Sequence, residues 1–483
     1  MALNSVKESP LTVDVLIVGA GPTGLTLACD LARRGVRALV VERADALFPG
    51  SRGKGIQPRT QEVFDDLGII DAALAAGGPA PVGMVWQGGE RQGEHRMFDE
   101  TEATPDAPYA SPLLLPQWRT QEILSARLRE LGGPDVEFGA ELSGLTQDGE
   151  GVTARLSDGR TVRAAYAVAA DGGRSTVRAA LGIGMTGETV DPHPILVADV
   201  RIPALDRDNW HMFAPTADGA GFLAICPLPG TPDFQLTAQF TDGTAPDTSL
   251  DGVRAVVAAR THLAADDVTE VRWASDFRPR AAMADRFRDG RVFLAGDAAH
   301  VHSPAGGQGL NTSVQDAYNL GWKLGAVLRG GAPEALLDTY EEERLPNAAQ
   351  MLGLSTRIHR GEERRGAATR QLGLGYRDSS LTAETRTGLA EGALRAGDRA
   401  PDGPYAGGRL FDAFRGPHFT LLTVGTDAEL PLLDEELVHM CRIDAYPPYG
   451  KGLFLVRPDG YVGWAGEDTT GLTDYFRLIH QGS

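Results

Sequence analysis

The stretch Val15-Leu16-Ile17-Val18-Gly19-Ala20-Gly21-Pro22-Thr23-Gly24 decides the fold of the N-terminal region. Its apolar run is typical of a parallel strand covered on both faces, and the glycines that follow predict a tight turn. Apolar side chains then recur at helical spacing as far as residue 32, and Gly35 stands where that helix should end. A second apolar run, residues 36–41, leads to Glu42. Together these features predict a βαβ unit.

The glycine-rich turn matches the G-x-G-x-x-G fingerprint of dinucleotide-binding folds. Gly19 permits the turn, Gly21 lets the backbone approach a pyrophosphate, and Gly24 allows the helix to pack closely on the strand. Glu42 ends the second strand, where a carboxylate can accept hydrogen bonds from ribose hydroxyls. Such turns also serve as simple bends, but here the strand, the helix, the second strand and the acidic residue are all present. The sequence therefore predicts a dinucleotide site at the helix N-terminus.

Two further glycine-rich stretches follow apolar runs later in the chain. Asp171-Gly172-Gly173-Arg174-Ser175-Thr176-Val177-Arg178 comes after residues 164–170, and Gly296-Asp297 comes after residues 291–295. Pro304-Ala305-Gly306-Gly307-Gln308-Gly309-Leu310-Asn311 then precedes a segment whose apolar side chains recur at helical spacing. Ligands of open α/β sheets collect at the carboxyl ends of the strands, where both aspartates are expected. These stretches predict one extended binding site.

In this order and spacing, the three stretches resemble those of FAD-dependent aromatic hydroxylases of the para-hydroxybenzoate hydroxylase and phenol hydroxylase type, including polyketide and antibiotic monooxygenases. The resemblance implies an α/β fold with a Rossmann-like FAD-binding domain, an inserted, mainly antiparallel β-sheet domain for substrate, and a C-terminal thioredoxin-like domain. It also implies that the residues matching the family's motifs bind FAD, namely Gly19, Gly21, Pro22, Thr23, Gly24, Glu42, Arg43, Asp171, Asp297, Pro304, Gly307, Gly309, Leu310 and Asn311. Arg174 and Arg178 belong to the same region, where the nicotinamide is expected to approach.

Residues outside the three stretches are similar to further FAD contacts of the family. Arg52 and Lys54 lie in a segment that resembles the one whose basic side chains reach the FAD pyrophosphate. The alternative for this segment is a solvated basic loop. Gln117 resembles a residue near the ribityl chain or the adenosine phosphate, and Leu142 matches a position that contacts adenine through its backbone.

The resemblance implies a monooxygenase that binds FAD tightly, takes electrons from NADPH or NADH, and hydroxylates an electron-rich phenolic or polyketide substrate with O2 through a C4a-hydroperoxyflavin. Because the cofactor carries this chemistry, no catalytic side chain is expected. The same cofactor motifs would serve Baeyer–Villiger oxidation or epoxidation, and a FAD-binding protein without redox activity is the alternative from another class. Candidates for facing the substrate are Phe222, Pro227 and Arg280, followed by Ala224, Trp273 and Phe277.

The order of the motifs predicts a discontinuous FAD-binding domain of residues 1–75, 112–190 and 281–345. The substrate-binding sheet domain takes residues 76–111 and 191–280, where short apolar strands alternate with proline and glycine turns. Residues 346–395 are expected to form a helical connector, and residues 396–483 the thioredoxin-like domain. Cys441 is the only cysteine of that last domain, so it has no CxxC motif and thiol–disulfide chemistry is not expected there.

Composition excludes several functional classes. A net charge of -19 argues against nucleic acids and anionic membranes as partners. Cys29, Cys226 and Cys441 are scattered, as is typical of reduced thiols, and no apolar run approaches the ~18 residues of a membrane span. We therefore expect a cytoplasmic protein, with a homodimer as one open possibility. His300 and His302 lack further ligands at metal-binding spacing, so we expect no metal and a loop-ordering role for His300.

Overall fold

The computed structural model of the protein describes residues 11–98, 101–215 and 219–480. Predictions for residues 1–10, 99–100, 216–218 and 481–483 therefore lie outside the described residues. The α-helices of the described ranges are α1 (Pro22–Ala32), α2 (Pro58–Asp66), α3 (Ile70–Ala76), α4 (Gln117–Glu130), α5 (Thr176–Ala180), α6 (Leu250–Arg260), α7 (Gly309–Arg329), α8 (Thr339–His359), α9 (Leu410–Phe414) and α10 (Leu472–Ile479).

The βαβ unit lies in the middle of a mainly parallel sheet, the central sheet. Its parallel strands have the spatial order Val292–Leu294, Thr161–Ala169, Leu11–Val18, Ala38–Glu42 and Val136–Phe138. Arg288–Asp289, Val152–Leu156 and Leu142–Gln147 extend it in antiparallel pairing. The parallel strands end at one edge of the sheet, which is the edge where ligands bind in such folds.

The observed bounds differ from the predicted ones at the ends of the βαβ unit. The second strand begins at Ala38 rather than at residue 36. The reason is the way in which α1 ends. Gly35 has φ 70°, and the backbone N–H of Val36 donates to the carbonyl of Leu31 at 3.0 Å. This bond satisfies a free carbonyl at the helix end, so the chain becomes extended only afterwards.

A second sheet, the cover sheet, combines two separate parts of the chain. Its strands have the spatial order Glu270–Phe277, Ile195–Arg201, Phe234–Gln239, Leu223–Pro227, Asn209–Phe213, Val82–Gln87 and Glu90–His95. Neighbouring strands are antiparallel except for Asn209–Phe213 and Val82–Gln87, which are parallel. Side chains such as Leu196 and Leu236 pack with α6 on one face. Because side chains alternate along a strand, Asp199 and Gln235 lie on the opposite face, toward the central sheet.

The C-terminal part forms a third sheet, and the connector before it is helical only in its first part. Helix α8 ends at His359, and Gly361 with φ 72° follows it. The rest of the predicted connector holds a 3-10 turn at Ala367–Arg370 and the short strand Ala383–Glu384. That strand joins the third sheet, whose spatial order is Ala383–Glu384, Val462–Gly466, Gly452–Val456, Phe419–Val424 and Val438–Ile443.

Further short strands pair outside the three main sheets. One group consists of Met185–Thr189, Arg280–Ala284 and His300–Val301, a second of Gly55–Ile56, Leu113–Leu114 and Gly78–Pro79, and a third of Pro404–Tyr405 and Gly408–Arg409. Further 3-10 turns lie at Ala265–Asp267, Gly296–Ala298 and Glu334–Asp338. Within the described ranges, no helix combines the length and the apolar character needed to cross a bilayer.

Candidate cofactor and substrate site

The first glycine-rich turn is packed tightly at two positions and open at a third. Gly19 has φ 109°, and a Cβ atom there would lie 2.3 Å from the carbonyl oxygen of Ala170. A Cβ atom on Gly24 would lie 2.0 Å from the carbonyl oxygen of Gly19, so α1 rests directly on the turn. A Cβ atom on Gly21 would have no atom within 4 Å. The turn therefore leaves free space in front of the N-terminus of α1, where N–H groups lack helical partners.

Glu42 holds this turn in place at the end of its strand. Its carboxylate accepts hydrogen bonds from the backbone N–H groups of Ala20 at 2.9 Å and Ala44 at 3.0 Å. The segment that leads to Leu142 lies alongside, because the N–H of Ala140 donates to the carbonyl of Glu42 at 2.9 Å. Arg43 is exposed next to it. The structure thus brings together the residues expected at the adenosine end of the site.

Asp171 lies at the end of Thr161–Ala169 and caps α5. Its Oδ2 accepts hydrogen bonds from the N–H groups of Thr176 at 2.7 Å and Val177 at 3.2 Å, while its buried Oδ1 has no hydrogen-bond partner in the described part of the chain. Burial raises the pKa of Asp171. Arg178 connects this stretch to the next one, since it donates to the carbonyl of Gly173 and to that of Ala298, each at 2.9 Å.

Asp297 lies in the Gly296–Ala298 turn, in contact with the first glycine-rich stretch. A Cβ atom on Gly296 would lie 2.5 Å from Oγ1 of Thr23, so the two stretches touch. The side chain of Asp297 is accessible to solvent, yet desolvation by the surrounding protein raises its pKa, while His300 and Arg52 lower it. An exposed carboxylate that is desolvated by surrounding protein lies in a concave part of the surface, called the cleft below.

The N-terminus of α7 forms the far end of this cleft. Oδ1 of Asn311 accepts a hydrogen bond from the N–H of Gln57, and its Nδ2 donates to the carbonyls of Gly55 and Gly307, all at 2.8 Å. Gly307 has φ 65°, and its N–H donates to the carbonyl of Pro304. Asn311 therefore joins two loops in front of the positive end of a helix dipole. Gly309 begins this helix, and Leu310 packs against Gly53.

Arg52 lies where the cleft meets the cover sheet. Its guanidinium carbon lies 5.0 Å from the ring centre of Phe48 and 5.8 Å from that of Trp273, within cation–π range. Partial burial lowers the pKa of Arg52, whereas Asp297 raises it, so the two side chains are in electrostatic contact. Gln117 lies nearby, with its Oε1 accepting a hydrogen bond from the N–H of Gly53 at 3.1 Å.

Lys54 is predicted to lie near the FAD pyrophosphate, with a solvated basic loop as the alternative, and in the structure its side chain contacts the cover sheet. Its Nζ donates a hydrogen bond to Oε1 of Gln235 and lies 4.4 Å from the ring centre of Trp210, and both partners belong to the cover sheet. The carbonyl of Lys54 accepts from the N–H of Leu115 at 2.7 Å. This pairing fixes the backbone so that the side chain extends toward the sheet instead of along the cleft.

The polar residues on this face of the cover sheet were not among the sequence candidates. Gln235 also donates to the carbonyl of Ser51, and burial raises the pKa of Asp199 to about 7, although Ser51 and Lys54 lower it. Asp199 interrupts the apolar run from Ile195 to Val200, which is a signal that the sequence did contain. The side chain of Asp199 points toward the cleft because of how its strand pairs, and this direction could not be predicted from the sequence.

The three leading substrate candidates do not lie together. Pro227 is buried at one end of its strand, whereas Phe222 precedes the other end and is 40% exposed. Arg280 is exposed in another sheet and lies near Arg178, whose pKa it lowers. Among the further candidates, Trp273 packs edge-on against Phe48 with ring centres 5.1 Å apart. Ala224 and Phe277 are half-buried strand residues.

His300 connects the segment after Val292–Leu294 to α7. Its Nε2 pairs with Oδ2 of Asp316 at 2.6 Å and its Nδ1 with Nε2 of His302 at 3.0 Å. Burial lowers the pKa of His302 to about 3, so that ring is neutral near pH 7. Among the described residues, no three His, Cys, Asp or Glu side chains form a group that could hold a metal ion. Cys29, Cys226 and Cys441 are buried free thiols.

The residues gathered along the cleft fit an adenine dinucleotide with a flat ring system. Gly21 leaves room for a pyrophosphate before α1, and Glu42 stands where a ribose would lie. Asp297 is accessible within the cleft, and the buried Oδ1 of Asp171 lacks a partner in the described chain. Gly55 has open space at its Cβ position beside the α7 N-terminus, so a ring can approach the backbone there.

Comparisons with known proteins agree with this fit. Residues 12–355 match the family described as FAD binding domain. A flavin-dependent monooxygenase of Mycobacteroides abscessus is 47% identical over 96% of this chain and 99% of its own length. A 12-dehydrotetracycline 5-monooxygenase/anhydrotetracycline 6-monooxygenase of Streptomyces rimosus is 38% identical over 96% of this chain and 98% of its own.

A solved structure adds a likeness in three dimensions. The ternary complex of aklavinone-11 hydroxylase with FAD and aklavinone has a TM-score of 0.82 and 30% identity, covering 98% of this chain and 99% of that one. The predicted family and the mixed α/β FAD-binding fold are thereby confirmed. The chain belongs to the FAD-binding-domain family of flavin-dependent monooxygenases, and its cofactor is FAD.

Proposed function

We propose that the protein hydroxylates an electron-rich aromatic substrate of the polyketide type, using O2 and electrons from NADPH or NADH. The observation that carries the proposal is the position of the cover sheet. Its polar face meets the 51–55 loop through Gln235 and Lys54. The same loop is bonded to Asn311 at the N-terminus of α7. A substrate held against this face would lie next to a flavin ring. Relatives named for anhydrotetracycline and aklavinone support the substrate class.

FAD, when bound, activates O2 so that one oxygen atom can be transferred to the substrate. The chain's own residues position the cofactor and shape its surroundings. The α7 N-terminus and Arg52 place positive potential along the cleft, and a helix dipole contributes about 0.3–1 kcal/mol toward a nearby negative charge. Preorganised donors such as these need no reorganisation during the reaction.

Exclusion of water also has a visible structural basis. A Cβ atom on Gly50 would lie 2.2 Å from the indole ring of Trp273, so the loop and the cover sheet are in direct contact. Phe48 packs on the same indole, and Arg52 lies over both rings. This contact closes one side of the space between the cleft and the sheet, which protects reactive oxygen chemistry from water.

We further propose that residues 396–480 form a thioredoxin-like module with a structural role. In support, Phe419–Val424 and Val438–Ile443 are parallel, and Gly452–Val456 and Val462–Gly466 follow in antiparallel pairing before α10. Ion pairs link this module to the FAD-binding part, including Arg399 with Glu62 and Arg457 with Glu343.

Two measurements test the proposed hydroxylation. The FAD-loaded protein is first mixed with NADPH or NADH without oxygen, and the flavin absorbance should bleach, faster with substrate present. Anhydrotetracycline and aklavinone are then supplied under labelled O2, and mass spectrometry should show one labelled oxygen on an aromatic carbon. A labelled ring lactone or epoxide would favour the alternative oxidations. Peroxide release alone, with every substrate of the panel, would refute the proposal.

Asp297 offers a direct check of the cofactor site. Asp297→Ala removes the accessible carboxylate of the cleft, so we expect largely colourless protein after purification. Asp276→Ala is the matched control, because Asp276 is an exposed aspartate on the cover sheet. Normal flavin content in Asp297→Ala would place the cofactor elsewhere.

A further inference from the structure

Gln371 has a backbone conformation that is rare for a residue with a side chain. It follows the 3-10 turn Ala367–Arg370 with φ 64° and ψ 11°, in the left-handed region. Among the described residues, Ala406 is the only other non-glycine residue with a positive φ. Such a conformation is strained and persists only where the surroundings hold it, which is common at functional sites. Gln371 is buried, so contacts inside the protein maintain this strain.

The side chain of Gln371 is the middle member of a row of three buried amides. Nε2 of Gln315 donates to Oε1 of Gln371, whose own Nε2 donates to Oε1 of Gln308 at 2.7 Å and to Oγ1 of Thr312 at 3.3 Å. Nε2 of Gln308 in turn donates to the carbonyl of Gly306 at 2.7 Å. Hydrogen bonds that run in one direction polarise one another in a poorly solvated interior. The row therefore ends as a strengthened donor on the carbonyl of Gly306.

Gly306 belongs to residues 304–308, the loop directly before α7, called the cradle loop below. Gly306 has φ 82° and Gly307 has φ 65°, so the peptide between them joins two residues that tolerate either orientation of it. The carbonyl of this peptide faces the buried amide of Gln308, and its N–H donates to the carbonyl of Pro304 at 3.2 Å. Gly306 is buried, whereas Gly307 is exposed. Rotation of the peptide would turn its carbonyl oxygen away from Gln308 and toward the accessible side of the loop.

From these contacts we propose that Gln371 is a positioning residue that, through Gln308, fixes the peptide between Gly306 and Gly307 and thereby sets the reduction potential of bound FAD. Hydride transfer from NADPH or NADH gives NADP+ or NAD+ and a reduced FAD that carries negative charge on its ring. A carbonyl oxygen turned toward that ring would repel the charge, whereas the α7 N-terminus attracts it. The amide row keeps the oxygen on the buried side and so stabilises reduced FAD relative to oxidised FAD. This inference rests on FAD lying beside the cradle loop, as in the proposed function.

The test is a spectroelectrochemical titration of FAD-loaded protein with mediator dyes, in the absence of substrate, NADPH and O2. Gln371→Met keeps the length of the side chain and removes its amide. We expect the preference of the protein for reduced over oxidised FAD to fall about three- to tenfold, which makes the potential more negative by about 15–30 mV for two electrons. Gln92→Met removes an exposed amide from the cover sheet and should leave the potential unchanged.

Further variants assign the effect to the amide row. Gln308→Met removes the donor on the Gly306 carbonyl itself and should shift the potential in the same direction. The double variant with both methionines should shift it as far as Gln308→Met alone, because Gln371 acts through Gln308. Gln371→Gly removes the amide and adopts φ 64° without strain, so it provides the measurement if Gln371→Met does not fold.

An unchanged potential in the Gln371 variants would overturn the proposal, even where their unfolding temperature falls, because that pattern means a role in stability alone. A double variant whose shift equals the sum of the two single shifts would overturn it as well, since the two amides would then act independently. The titration involves neither substrate nor oxygen. Its failure is therefore distinguishable from failure of the proposed hydroxylation, which labelled-oxygen incorporation reports.

Discussion

At the scale of single residues, the glycines of the first turn have separable roles. Gly21 meets no atom at its Cβ position and has φ −71°, so an alanine fits the backbone without strain. We predict that Gly21→Ala leaves the unfolding temperature of the FAD-free protein nearly unchanged but weakens FAD binding, because the methyl group fills the pyrophosphate space. Thermal unfolding without FAD and a flavin fluorescence titration measure the two effects.

Gly24→Ala is the matched comparison, since its methyl group would lie 2.0 Å from the carbonyl oxygen of Gly19. That contact forces the helix off the turn, and we expect a loss of stability of about 1–3 kcal/mol, as for overpacking in a core. Equal effects of the two substitutions on unfolding would contradict the assignment of open space at Gly21.

The carboxylate of Glu42 is the other decisive side chain at this scale. Glu42→Ala removes the acceptor for Ala20 N–H and the expected ribose acceptor. We predict a loss of FAD affinity of about 1.5–3 kcal/mol, the size of a charged hydrogen bond. Glu467→Ala, at an exposed glutamate of the C-terminal module, serves as the control in the same titration. Unchanged affinity in Glu42→Ala would assign the carboxylate a role in the turn alone.

At the scale of elements, the N-terminus of α7 is where we expect the chain to tune the cofactor. Asn311 holds two loops there by donating to the carbonyls of Gly55 and Gly307. Asn311→Asp loses both donations and adds negative charge beside the expected flavin ring. We predict that the reduction potential of bound FAD becomes more negative by about 30 mV, equal to about 1.4 kcal/mol for two electrons.

Spectroelectrochemical titration measures this potential. Gln92→Glu adds the same charge at an exposed position of the cover sheet and should not change it. A potential unaltered in Asn311→Asp would mean that the flavin ring does not lie at this helix end.

At the scale of the whole molecule, a buried ionic cluster joins the C-terminal module to the FAD-binding part. Glu343 of α8 accepts from Lys323 of α7 and from Arg457 of the module, each at 2.7 Å. Asp459 pairs with the same arginine and accepts from Trp322 at 3.0 Å. All these side chains are buried, so removal of one partner leaves uncompensated charge.

We predict that Glu343→Ala lowers the free energy of unfolding by about 3–5 kcal/mol, the cost of breaking a buried pair. Because the cluster spans both parts, flavin release and the fluorescence of tryptophans such as Trp464 should report one common transition. Glu362→Ala, at an exposed position after α8, is the control. Two separate transitions in the variant would show instead that the module unfolds independently.

The sequence by itself determined the features that depend on local backbone geometry. The spacing of Gly19, Gly21 and Gly24 specifies a turn that brings the strand end and the α1 N-terminus together, and Glu42 follows at the end of the next strand. The family and the cofactor were readable for the same reason, since cofactor contacts through backbone groups require particular glycines in a particular order.

Only the tertiary structure decided where side chains of the cover sheet point and what they meet. Gln235 faces Lys54 because its strand pairs with Ile195–Arg201 and Leu223–Pro227 in one register, and a shift of one residue would turn the Gln235 side chain away. The bounds of the connector likewise depended on packing, because Ala383–Glu384 becomes a strand by pairing with Val462–Gly466. Long-range pairing leaves no periodic signal in the local sequence, and for that reason strands of the cover sheet could be predicted but the direction of its polar side chains could not.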